Sequence, residues 1–270
     1  MPHTLRGPII SRPISLFLDV DGTLLEFAQH PDAVVVGHRL VALLEGLHRS
    51  LGAALALVSG RSIASLDRLF TPFRGTAVGQ HGVELRLHPG ERIERMAAAP
   101  VPASLSEAVA RVVDEHGAAF VERKDFALAV HHRLAAPAMQ ALRRDLLETC
   151  ARHAPGWTVL RGRQVLELKP ADASKARGVD LLMADAPFAG TWPIAFGDDI
   201  TDLDMFEAIR RHGGTTVSVG PRIAGAGDLH LASPGGSESL LRAMADAIAF
   251  DNDARRVLQL LQPDPAGLAG

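Results

Sequence analysis

The sequence predicts an α/β fold, a parallel sheet wrapped by helices with a smaller α+β unit inserted into it. Three observations predict this. Apolar runs within 16–20, 52–60, 194–196 and 215–220 end in small or acidic residues, as strands buried on both faces of a parallel sheet do. Helical periodicity separates these runs. From 103 onward the order becomes helix-strand-strand-helix-strand-strand, which makes a compact unit with an antiparallel sheet. Dividing a chain of 270 residues by about 150 residues per domain suggests roughly two domains.

The first strand lies in S-L-F-L-D-V-D-G-T-L-L, residues 15–25. Its apolar run stops at two carboxylates, Asp19 and Asp21, and period two puts both on one side. Gly22 then lets the chain turn sharply. Ligands bind outside the ends of such strands in open α/β sheets. Two like charges at the rim of an apolar core are unfavourable unless a cation or a shared proton relieves them. A helix from about His38 follows, with Leu40, Leu43, Leu44 and Leu47 on one apolar face. The second buried strand ends at Ser59-Gly60-Arg61, which opens another helix. A hydroxyl, a glycine and a helix start form a natural anion site, although Ser59 could equally serve as a plain cap. Residues 76–87 read as strand, Gly-rich turn and strand, and 89–102 as a proline-rich linker.

In the inserted unit, Ser104 can cap a helix running to about Glu115, and Gly117 ends it. Strands at 118–124 and 127–133 meet in a tight turn at Lys124-Asp125. Pro137 opens a helix over 138–152, and strands at 157–161 and 164–169 join at Gly162. Alternation puts Leu128, Val130, Leu166 and Leu168 on the face toward the helices. Glu122, Lys124, His131, Arg133, Glu167 and Lys169 share the other face. A solvated face is the ordinary reading of such a set. Its mixture of carboxylates and long cations also suits a ligand with many hydroxyls.

Ser174 can cap a helix over 171–183 that carries Lys175 in its first turn. The helix dipole disfavours a cation there, so Lys175 requires an anion nearby. The strand at 194–196 runs into Gly197-Asp198-Asp199, and four aspartates (Asp198, Asp199, Asp202 and Asp204) fall within seven residues. That exceeds what a helix start needs and suggests a hard cation with oxygen ligands. An edge strand at 228–232, a closing helix at 237–249 and a tail from Leu258 complete the chain.

Composition narrows the function. The net charge of -3 gives no reason to expect broad nucleic-acid or membrane binding. Cys150 is the single cysteine, so no intramolecular disulfide forms, and a reducing, cytoplasmic setting fits. Residues 1–13 lack the apolar middle of a signal peptide and read as a short arm. A monomer is the expected species. Of 28 basic Lys and Arg residues only Lys124, Lys169 and Lys175 are lysine, so positions that keep Lys invite a specific explanation.

Asp19-x-Asp21, Ser59, Lys175 and Gly197-Asp198-Asp199-x-x-Asp202, in that order, resemble the four motifs of the haloacid-dehalogenase (HAD) superfamily. The resemblance implies a Rossmann-like parallel-sheet core from 1–95 and 170–270, with 96–169 as an α+β cap. S-G-R at 59–61, G-Q-H-G at 79–82, V-E-R-K at 121–124, V-H-H-R at 130–133 and G-D-D-I-T-D-L-D-M-F at 197–206 resemble the trehalose-6-phosphate phosphatase family. Departures are Leu203 in place of the usual Glu, His132 where Tyr is common, and Ala176 where Gly is frequent. The resemblance implies Mg²⁺-dependent hydrolysis of trehalose 6-phosphate, the last step of trehalose biosynthesis. Asp19 would be the nucleophile and Asp21 the acid and base. Asp19, the Asp21 carbonyl and Asp198 would hold the metal, with Asp199 and Asp202 behind them. Ser59, Gly60, Arg61 and Lys175 would bind phosphate, and Glu122, Lys124, His131, Arg133 and Glu167 the sugar. A sibling phosphatase for sucrose phosphate or mannosylphosphoglycerate, a phosphosugar mutase and a non-catalytic sensor are the alternative readings.

Overall fold

A computed structural model describes residues 12–26, 35–95, 100–117, 119–124, 126–162, 164–251 and 254–261. The main sheet contains β1 (Ile14–Leu18), β2 (Leu55–Val58), β3 (Thr76–Gly79), β4 (Glu84–Arg86), β5 (Glu94–Arg95), and, after the inserted unit, β10 (Trp192–Gly197), β11 (Thr215–Val219) and β12 (Leu229–Leu231). Its order is β12-β11-β10-β1-β2-β3-β4-β5, parallel from β12 to β3, with β4 and β5 added antiparallel. β1 thus sits in the middle, hydrogen-bonded to β10 on one side and β2 on the other.

Alternation along β1 assigns its two faces. Leu16 and Leu18 pack in one core with α1 (His38–Ser50), α2 (Ile63–Leu69), α7 (Pro234–Asp251) and α8 (Ala254–Leu260). Phe17 faces a second core built by α5 (Lys175–Met183) and α6 (Leu203–Arg211). With helices on both faces, no apolar side of the sheet is left to water. Asp19 continues the Phe17 side, and therefore points where α5 and α6 begin.

The inserted unit has its own sheet, ordered β6-β7-β9-β8: β6 (Ala119–Arg123), β7 (Leu128–His132), β9 (Val165–Pro170) and β8 (Trp157–Arg161). Helices α3 (Ala103–His116) and α4 (Ala136–His153) cover one face and form a separate core with Leu128, Val130, Leu166 and Leu168. The other face carries Phe120, Glu122, Ala129, His131 and Glu167 in register and turns toward the main sheet. The two units meet where Phe126 packs on Val83 and Ala173, with the Arg95 guanidinium 4.8 Å above the Phe126 ring. Lys169 donates to the Ala173 carbonyl beside this contact.

Several local expectations change. α2 begins at Ile63, and its cap is Ser62, which accepts from Ser65 N–H. Ser59 therefore ends a strand and does not open a helix. Pro102, not Ser104, precedes α3, and no side chain caps it, because Ser104 already lies inside the helix. β5 adds an edge strand within the stretch read as linker. α8 replaces the first part of the expected tail, since Val257 and Leu261 join the main core. The turn residue Asp125, the arm before Arg12 and residues 262–270 lie outside the described residues.

Replacing Phe17 with Ala removes a fully buried ring that meets Phe188 at 5.2 Å between centroids. Urea denaturation should show a loss of about 3–5 kcal/mol. Leu181→Ala, at a position 40% exposed, should cost less than about 1 kcal/mol. Equal losses at both would contradict the assignment of the β1 face.

Candidate active site

The centre of the site is an ammonium group inside the protein. Lys175 is the first residue of α5, positioned by Ser174, whose hydroxyl accepts from Arg177 N–H. Its Nζ donates to Asp19 Oδ1 at 2.7 Å and to Asp202 Oδ1 at 2.6 Å, and its side chain is 2% exposed. The other Asp202 oxygen accepts the backbone N–H groups of Asp198 and Asp199, both at 3.0 Å. This close wrap needs Gly197, because a Cβ there would lie 2.6 Å from the Asp202 side chain. Asp202 is thus consumed by its neighbours. Asp19 is not, since its buried Oδ2 has no hydrogen-bond partner.

Asp19, Asp198 and Asp202 bring carboxylate oxygens within 4.8 Å of one another. Three carboxylates against one ammonium leave two negative charges. Burial, then repulsion from Asp202, raises Asp19 to about 7 in spite of Lys175. Burial and the charges of Asp19, Asp202 and Asp199 raise Asp198 to about 9. Lys175 is held strongly charged: burial opposes its charge, and the two aspartates outweigh burial. An unpartnered Asp19 oxygen, a raised Asp198 and an excess of two negative charges fit a hard divalent cation with oxygen ligands. Asp19 and Asp198 have the free oxygens for it.

The other acids that line the cavity, Asp21, Asp199 and Glu167, have basic partners. Asp21 is bound by both arms of Arg61, at 2.7 Å each. Asp199 pairs with Arg222 at 2.8 Å. Ser59, almost fully buried, accepts from Arg61 N–H at 3.1 Å. The turn Gln80–Gly82 is bonded to this segment through His81 N–H to the Ser59 carbonyl and Gln80 N–H to the Arg61 carbonyl. Gly60 lies under the His81 ring so closely that a Cβ would sit 2.4 Å from its Nε2.

The inserted unit roofs the cavity, which has a volume of about 190 Å³. Leu160, Gly162, Val165 and Glu167 form the roof, and Asp19, Asp21, Ser59, Gly60, Lys175 and Asp198 the floor. Glu167 joins the two, accepting from His81 Nε2 at 2.7 Å and from Lys124 Nζ at 2.8 Å. The His81 ring and the Lys124 ammonium together outweigh burial and hold its carboxyl well below the usual range. Lys124 is raised in turn: burial opposes its charge, and Glu167 and Glu122 overcome it.

The structure therefore gathers Asp19, Asp21, Ser59, Gly60, Glu167, Lys175, Asp198 and Asp199 around one cavity. Arg61 and Lys124 stand one contact behind, as partners of Asp21 and Glu167. Glu122 and His131 pair at 2.7 Å outside the lining, and Arg133 is exposed there too. Sequence reasoning gave no role to His81, Thr201 or Arg222. His81 had a signal in G-Q-H-G, where two non-glycine residues, Gln80 and His81, take positive φ of 47° and 52°. That unusual backbone is held by the two bonds to residues 59 and 61.

Comparison with known proteins bears on this site. Residues 17–229 match the trehalose-phosphatase family model. The chain is 39% identical over 210 residues to a probable trehalose-phosphate phosphatase of Sinorhizobium fredii, covering 77% of this chain and 78% of that one. It is 34% identical over 229 residues to the trehalose-6-phosphate phosphatase of Escherichia coli K12, covering 82% and 86%. Among solved structures, the fold resembles the C-terminal domain of C. albicans trehalose-6-phosphate phosphatase, with TM-score 0.75, 23% identity and coverage of 87% and 93%. A phosphatase of the haloalkanoate (HAD) enzyme superfamily from Bacteroides thetaiotaomicron shares the fold at TM-score 0.62 and 20% identity, with coverage of 90% and 98%.

The raised carboxyls predict a pH dependence. With Asp19 raised to about 7 and Asp198 to about 9, the folded protein holds protons that the unfolded chain releases from about pH 4 upward. Metal-free stability should fall as pH rises through that window. A cation displaces those protons, so the rise in melting temperature with Mg²⁺ should be larger near pH 8 than near pH 6. Asp198→Asn should flatten both trends. A Mg²⁺ shift independent of pH would contradict this account.

Proposed function

Because the chain belongs to the trehalose-phosphatase family, we propose that it hydrolyses trehalose 6-phosphate to trehalose and inorganic phosphate, the last step of trehalose biosynthesis. The observation that carries this reading is the unpartnered Oδ2 of Asp19, a residue that lines the cavity beside the Lys175 ammonium. We take 1–95 and 170–270 as the catalytic core and 96–169 as the cap.

A phosphate monoester resists attack because it is anionic and its alkoxide leaves poorly. The site must cancel charge, align a nucleophile and supply a proton. Asp19 Oδ2 attacks phosphorus, and the bond from phosphorus to the sugar oxygen breaks, leaving an aspartyl-phosphate. Asp21 gives its proton to the departing oxygen, then takes one from the water that cleaves the acyl phosphate. Arg61 occupies both carboxylate oxygens of Asp21 while it is paired there. The acid role therefore requires Arg61 to turn toward the incoming phosphate, which Ser59, the Gly60 backbone and Lys175 also bind. Lys175 holds Asp19 in one rotamer, and Asp202 holds Lys175. Mg²⁺, ligated by Asp19, Asp198 and the Asp21 carbonyl with Asp199 nearby, would add positive charge to the phosphoryl oxygens.

The sugar meets the cap. Glu167, Lys124, Glu122 and His131 offer acceptors and donors on the open sheet face, and Arg133 lies at the end of β7. Substrate hydroxyls would compete for Glu167, so opening the cap breaks the His81–Glu167 bond and closing remakes a dry site.

The test is phosphate release from trehalose 6-phosphate, glucose 6-phosphate and sucrose 6-phosphate, each with and without Mg²⁺. The expected outcome is Mg²⁺-dependent release, strongly favouring trehalose 6-phosphate. Asp19→Asn should lower kcat by about 10³-fold or more. Equal turnover of all three esters would sink the substrate assignment, and full activity of Asp19→Asn would sink the mechanism.

A further inference from the structure

Phe120 is a large aromatic side chain 66% exposed to solvent, on the edge strand β6. An apolar ring in that position lies outside the core of its own unit, which is on the opposite face. Its placement is not random with respect to the cavity. Phe120 pairs with His131 across β6 and β7, and His131 pairs with Val165 across β7 and β9. Val165 lines the cavity roof. Paired residues share a face, so Phe120 and His131 continue the roof outward by two strands, about 10 Å.

The two rings are organised. Their centroids lie 4.6 Å apart at 14°, and His131 Nε2 is 2.7 Å from Glu122 Oε2. Glu122 therefore orients His131, and His131 supports one face of Phe120. The ring's remaining surface is open. Charged groups lead from the reaction centre to this place: Asp21 to Arg61 at 2.7 Å, Arg61 to Lys124 within electrostatic reach, and Glu122 beyond Lys124. A flat apolar ring beside hydrogen-bonding groups is what a pyranose recognises, with its C–H face on the ring and its hydroxyls on the polar neighbours.

The geometry points to Phe120 as a specificity-determining residue, a platform on which the unphosphorylated ring of a disaccharide phosphate stacks. This rests on the disaccharide-phosphate reading above. It assigns to an edge residue outside the cavity the discrimination between one sugar ring and two. Phe120 touches no reacting atom, so it acts on KM and leaves the chemical step alone.

The experiment compares wild type, Phe120→Ala and Phe120→Trp on trehalose 6-phosphate and on p-nitrophenyl phosphate, which has no second sugar. Phe120→Ala should raise KM for trehalose 6-phosphate by roughly three- to tenfold at unchanged kcat. KM for p-nitrophenyl phosphate should not move, and Phe120→Trp should restore the disaccharide KM. An unchanged disaccharide KM in Phe120→Ala, beside an active wild type, overturns the platform. So does an equal loss on both esters, which would mean that Phe120 acts through the stability or position of the cap. If wild type cleaves p-nitrophenyl phosphate but not trehalose 6-phosphate, the disaccharide reading itself fails and the platform falls with it.

Discussion

The buried ion triad of Asp19, Lys175 and Asp202 is the constraint around which the chain is arranged. Asp19 and Lys175 are 156 positions apart, and Asp202 another 27 beyond. Bringing them together requires β1 in the centre of the sheet, β10 directly beside it, and α5 and α6 starting on the same face. Removing Lys175 leaves two buried carboxylates without their shared cation, at a cost of about 3–5 kcal/mol. Arg could not replace Lys175, because its planar fork does not fit between two single oxygens in a fully packed space. The scarcity of lysine elsewhere makes this exception visible.

The distribution of countercharges around the cavity is uneven in an informative way. Asp21 has Arg61, Asp199 has Arg222, and Glu167 has His81 and Lys124. Asp19 and Asp202 share one ammonium. Among the described residues, Asp198 has no cationic partner within ion-pair distance. The electrostatic deficit is therefore concentrated between Asp19 and Asp198, on the floor of the cavity. Pairing the outer acids keeps the rim near neutrality and confines the attraction for a cation to one place.

Much of this was legible in the sequence because parallel strands buried on both faces write unbroken apolar runs. The acids that end such runs are conspicuous, so Asp19, Asp21 and Asp198 could be named from pattern alone. Lys175 was exposed by a local conflict, a cation at a helix start, and the anions that resolve it are carboxylates of the protein itself. His81 was hidden because its importance lies in a left-handed backbone and a contact across two units. Arg222 sits in a loop after β11 and has no pattern at all until the fold places it against Asp199. Ser104, and the cap reading of Ser59 that stood beside its phosphate-binding one, show the reverse failure. Both had the chemistry of a helix cap, and packing set the helix starts elsewhere, at Ala103 and Ile63.

The insertion of a whole unit between β5 and α5 also has a consequence for how the molecule is made. The side of β1 that receives β10 in the register Ile14 to Trp192 stays open while everything between them leaves the ribosome. At typical rates of synthesis that interval is roughly 10–35 seconds. The inserted unit is local in sequence and carries its own core, so it can close during the wait. The nascent main sheet cannot, and it presents a bare apolar edge, Leu16-Phe17-Leu18, to the crowded surroundings. The arrangement that lets a cap shape the pocket thus leaves this edge unpaired for most of the time the chain is being made.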